Sequence, residues 1–103
     1  MAFESGTLEE ALASAAGDDF ALMAELRHSY VESAERQLDL LGRARCDGNW
    51  EVAALRLRGL ASSFHDEQLQ SLADYALVAA PGEPIVLRQI AAHLDEIRGQ
   101  KAA

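Results

Sequence analysis

Little in this chain can build a covalent or metal-held framework. There is one cysteine, Cys46, in 103 residues, which excludes an internal disulfide and a cysteine-rich zinc site. Two prolines and seven glycines are too few for a collagen-like or low-complexity disordered chain. β-Branched residues are also sparse: four Val, three Ile and one Thr stand in a background of Ala and Leu. That balance favours helix over sheet. Cations are few. Eight Arg and one Lys face seventeen carboxylates, for a formal net charge of −8. Nucleic acid and anionic membrane surfaces both require a basic footprint, so neither is expected as a partner. No apolar run approaches the roughly 20 residues of a membrane span, and the first ten residues are acidic where a secretory signal is basic. The expectation is one cytoplasmic domain over residues 1–103, with its core at about 18–98.

Turn and capping residues cut the chain into helical stretches. Thr7-Leu-Glu-Glu10 reads as a capping box opening a short helix that stops at Gly17. Asp18-Asp19 caps a second stretch from Phe20 to Arg45, whose apolar residues Phe20, Met23, Leu26, Tyr30, Ala34, Leu38 and Leu41 recur every three or four positions. Asn49 is the expected cap of a third stretch, with Trp50, Ala53, Ala54, Leu57, Leu60, Ala61 and Phe64 inward. Asp66 caps a fourth, from Glu67 to Ala80, burying Leu69, Leu72, Ala73, Ala76 and Leu77. The turn Ala80-Pro-Gly-Glu-Pro84 starts a fifth that ends at Arg98, before Gly99. The fold class expected is all-α: an antiparallel four-helix bundle with a short N-terminal cap helix.

The third stretch carries more than a core stripe. At about 100° per residue, Leu55 falls roughly 150° from the centre of the stripe. Arg58, Gly59 and Ser62 lie beside it, with Val52 one turn back and Ser63 adjoining. A mid-helix glycine costs about 1 kcal/mol against alanine. Gly59 therefore has two readings: it lets a neighbouring helix approach, or it leaves room on the outer face for another protein.

The run Leu55-Arg-Leu-Arg-Gly-Leu-Ala-Ser-Ser-Phe-His-Asp-Glu-Gln-Leu69 resembles the signature of histidine-containing phosphotransfer (HPt) domains. That signature reads His-x-Leu-Lys-Gly, small residues, then Gly-Ala-x-x-Leu. Leu57, Gly59, Ala61 and Leu69 agree with it, and Arg58 keeps the cation in place of lysine. The likeness extends from Phe20 to Ile97, through Phe20-Ala-Leu-Met-Ala-Glu-Leu and the Asp47-Gly48 loop. The resemblance implies a helical bundle that works in two-component phosphorelay signalling. Its partner would be a response-regulator receiver domain or a sensor kinase.

The departures from the signature carry the functional expectation. Leu55 stands at the phosphoacceptor histidine, His65 at the glycine and Asp66 at the alanine. An aliphatic side chain has no nitrogen to form a phosphoramidate. The resemblance thus implies a non-phosphorylatable docking module, a pseudo-phosphotransferase. Val52, Leu55 and Gly59 would form its apolar centre, Arg56 and Arg58 a cationic rim, and Ser62 and Ser63 its flank. Two alternatives stand beside it: phosphotransfer through His65, or a purely structural bundle, a monomer or weak homodimer. His65 lies ten residues past Leu55, about 15 Å along the helix and roughly 80° round it. As a bare helix-end residue it suits the dipole there. His28 reads as a solvated surface residue and His93 as a boundary residue flanking the last apolar stripe. The three histidines sit on different helices, so no metal site and no cofactor is expected. Phosphate-loop, dinucleotide and nucleophile-elbow motifs are all missing. Cys46, near Arg43 and Arg45, is a weak redox candidate.

Overall fold

The computed structural model describes residues 7–100. Over that range the chain forms five helices: α1 (Thr7–Ala16), α2 (Phe20–Arg43), α3 (Asp47–Ser63), α4 (Glu67–Val78) and α5 (Pro84–Gln100). Among the described residues there is no strand, and no helix is long and apolar enough to cross a membrane. α3 packs on α2 and α4, α5 packs on the same two helices, and α1 lies mainly on α2.

Local chemistry explains most of the boundaries. Gly17, in the left-handed region at φ 66°, ends α1. Asp19 then caps α2 by accepting the Leu22 N–H at 3.1 Å. Asp66 does the same for α4, accepting from Leu69 at 3.2 Å. α5 opens on Pro84, where a missing N–H costs nothing, and Glu83 accepts the Val86 N–H at 2.9 Å. Neither Thr7's side chain, and with it the proposed capping box, nor the tail 101–103 lies within the described residues.

Four boundary expectations are corrected. α3 begins at Asp47, with Cys46 in the extended cap position, so Asn49 lies inside the first turn. Asp47 there already supplies the negative charge that a helix start favours. α2 stops at Arg43 and α4 at Val78, each two residues early, and α5 runs through Gly99 to Gln100. The α3–α4 turn holds a further correction. His65 is not a helical residue; it sits beyond α3 at φ 58°. Its N–H reaches Ser62 O at 3.2 Å and that of Asp66 reaches Ala61 O at 2.8 Å. This pair of bonds is the helix stop that ordinarily selects glycine.

The core collects Tyr30, Val31, Ala34 and Leu41 of α2 and Trp50, Ala53, Ala54, Leu57 and Ala61 of α3. Leu69, Ala73 and Ala76 of α4 join them, with Val86, Ile90, Leu94 and Ile97 of α5. It also reaches further toward the N-terminus than 18–98, since Leu8 and Leu12 of α1 belong to it. Phe20, placed inward by periodicity, is instead 84% exposed. It is the first residue of α2, directly after the turn from α1. Arg27 takes an inward position on the same helix, its guanidinium bonded to Glu9 of α1 at 2.6 Å.

The boundary reading of His93 is also overturned. His93 is only 7% exposed, and its Nε2 lies 2.8 Å from Asp66 Oδ2. Tyr30 donates its hydroxyl to the same oxygen at 2.5 Å. Burial alone would raise the Asp66 carboxyl, but the bonds from His93, Tyr30 and the Leu69 N–H outweigh it and hold the group below the ordinary value of 3.8. Burial, followed by the adjoining carboxylate, pushes the Tyr30 hydroxyl far up, so it remains a donor.

Candidate functional site

α3 turns its alanine- and leucine-built face to α2 and α4 and leaves its opposite face bare. Val52, Leu55, Arg56, Arg58, Gly59, Ser62 and Ser63 are all exposed. Leu55 is 48% and Val52 47% accessible, so each holds about half of a large aliphatic side chain against water. Covering that half is worth about 1 kcal/mol per residue. A Cβ built on Gly59 meets nothing within 4 Å. The reading in which this glycine admits a neighbouring helix is thereby excluded within the fold. The other helical glycines described, Gly42, Gly48 and Gly99, sit one residue from a helix end; Gly59 alone is interior.

The seven residues adjoin different neighbours. On the α2 side, Val52 and Arg56 line a groove of about 430 Å³ with Leu40, Arg43 and Asn49. On the α4 side, Arg58 Nε is held 2.6 Å from Asp74 Oδ1. Its charge is already matched, which leaves it a weaker rim cation than the sequence suggests. Arg56 makes no ion pair among the described residues. Toward α1, Ser63 and His65 border a separate depression with Glu10, Ala11 and Ser14. Leu55, Gly59 and Ser62 run between these flanks along the exposed ridge.

One contributor is absent from the sequence-based set. Leu40 of α2 is exposed and shares the groove with Val52. Its signal was available: it falls out of phase with the inward Ala34, Leu38 and Leu41.

The histidines lie elsewhere. His28 is exposed and 3.1 Å from Glu32 one turn on. His93 is locked on Asp66. His65 is exposed, but it stands past the end of α3, whose Leu55-to-Ser63 segment alone spans about 12 Å. Cys46 is exposed at the α3 start. Among the described residues no three His, Cys, Asp or Glu side chains converge where an ion could be shared. Chemically, the face can contribute apolar contact, one unmatched guanidinium and two hydroxyls; it offers no nucleophile at its centre. No family model, no curated protein and no solved structure matches this chain.

Proposed function

We propose that the chain is an HPt-like antiparallel four-helix bundle, with α1 as its cap, that docks receiver domains in cytoplasmic phosphorelay signalling without accepting a phosphoryl group. The observation that carries the reading is the interior, exposed Gly59 with open space around it, one turn after an exposed Leu55. A residue that weakens its own helix and relieves no internal contact is accounted for by a partner that approaches closely there.

Two further points support it. The signature places glycine where His65 stands, and position 65 holds the positive φ that glycine adopts freely. The packing of α2 and of α4 on both α3 and α5 supports such a bundle. In this reading Leu40, Val52 and Leu55 meet the apolar part of the receiver surface, and Arg56 faces the acidic pocket around its aspartate. A leucine at the centre is cheaper to desolvate than an imidazole, so the contact favours residence over transfer.

The test pairs a binding titration with phosphotransfer. The purified protein is mixed with phosphorylated receiver domains, and the label is followed on both partners, with His28→Gln, His65→Gln and His93→Gln as controls. The expected result is a complex with one receiver and no label on this chain. Leu55→Asp should weaken that complex by about 2 kcal/mol or more, roughly 30-fold, while far-ultraviolet dichroism stays unchanged. Label that disappears with a single histidine would make the protein a relay. Binding that survives Leu55→Asp would place the contact elsewhere.

A further inference from the structure

At Asp66 all four long helices meet through hydrogen bonds. Its backbone N–H closes α3 on Ala61, and its carboxylate starts α4 by accepting from Leu69. The same carboxylate takes the Tyr30 hydroxyl from α2 and His93 Nε2 from α5. The cluster is buried throughout.

As a source of stability this arrangement is poor. It puts a carboxylate inside the protein and leaves His93 Nδ1 buried with no partner. Networks of this kind are often no more stable than the apolar residues that could replace them. Their recurring benefit is a unique setting of one helix against another.

This core needs such a device. On the inward faces of α3 and α4 five alanines, Ala53, Ala54, Ala61, Ala73 and Ala76, outnumber the large Trp50, Leu57 and Leu69, so much of that surface forms shallow ridges. α5 presents Val86, Ile90 and Leu94 at four-residue intervals. A slide of one turn, about 5.4 Å, exchanges Val86 for Ile90 and Ile90 for Leu94, so hydrophobic packing discriminates weakly between settings. α3 and α4 are pinned a second time, by Trp50 Nε1 donating to Ala76 O at 2.7 Å. For α5, the His93–Asp66 bond is the buried side-chain link to its neighbours among the described residues; the Arg98–Glu35 pair is exposed.

We propose that the Tyr30–Asp66–His93 network is a register lock, which selects one longitudinal setting of α5 against α2 and α4. Removing the whole network should leave helix content intact while freeing the position of α5.

The test is the full chain carrying Tyr30→Phe, Asp66→Ser and His93→Leu together. Serine preserves the α4 cap and, unlike asparagine, leaves no amide nitrogen buried against the two apolar replacements. Far-ultraviolet dichroism should be retained. Amide resonances of α5 should double or broaden, and its amides should exchange about tenfold faster or more, with α3 and α4 little changed. The single variant His93→Gln, whose amide nitrogen can donate to Asp66 in place of Nε2, should keep one sharp set of α5 resonances. A triple variant with one sharp α5 set and native protection overturns the proposal. So does a triple variant that unfolds, because the network is then a stability element. Doubled α5 resonances in His93→Gln overturn it as well.

Discussion

Gly59→Ala separates what α3 needs from what its partner needs. The residue is interior to the helix, and an added Cβ meets no atom within 4 Å. The substitution therefore carries no steric term, and two gains remain: better helix propensity and a less flexible unfolded chain. Together they amount to about 1 kcal/mol. For a domain of this size that raises the thermal midpoint by about 5 °C, read by dichroism at 222 nm. Gly59→Arg should also stabilise, since arginine is a good helix former and the same space is open to it. Binding moves the other way: the arginine fills the gap left for a docked receiver, and affinity measured by calorimetry should fall about tenfold or more. Stability up and binding down is the signature of a glycine kept for contact. A midpoint that falls in Gly59→Ala would refute the open-space argument. Unchanged receiver affinity in Gly59→Arg would remove Gly59 from the docking face.

Other consequences follow from the turn and the core. His65→Gly should stabilise by about 1 kcal/mol in urea unfolding, because it relieves a left-handed residue carrying a Cβ; receiver binding should not change. Asp66 has a lowered folded pKa, so the stability it contributes is present above 3.8 and is lost as pH falls through that lowered value. Asp66→Asn should accordingly flatten the acid limb of a stability–pH curve. Trp50→Phe removes the indole bond to Ala76 O, which keeps the Ala79 N–H as a second partner. The cost should be about 1–2 kcal/mol by urea titration.

How far the sequence reveals this structure depends on the separation over which each feature is determined. Asp19 and Asp66 mark helix starts by accepting the N–H three positions on, and Gly17 and Pro84 mark helix ends through their own backbone; all four do so in the fold. The α3 stripe is legible for the same reason, and with it the outward direction of Leu55 and Gly59. Cys46 taking the cap position ahead of Asn49 shows the limit of that logic. With an extended residue already at 46 and an acid at 47, the helix starts without a side-chain bond, and the better capping residue is passed over.

Polar groups that enter the core obey a longer-range rule. Arg27 finds Glu9 across 18 residues, Tyr30 finds Asp66 across 36, and His93 finds it across 27. Arg27 and His93 look unsuited to burial, and the Tyr30 hydroxyl unsatisfied, until the partner from another helix is in place. Asp66 was visible as a cap, but a cap uses one oxygen for one N–H. The spare capacity of a carboxylate at a helix start, with a tyrosine and a histidine on inward-leaning faces, was the available clue. The groove between α2 and α3 follows the same pattern: Leu40 reads as a stray exposed leucine until the fold brings Val52 and Arg56 beside it. Spacing along one helix identifies an exposed ridge, whereas the extent of a docking surface depends on which second helix adjoins it. For that reason Leu40→Asp is the sharper probe of the groove. It touches no residue of the signature, yet receiver affinity should fall with it as it does with Leu55→Asp if the two helices form one contact surface.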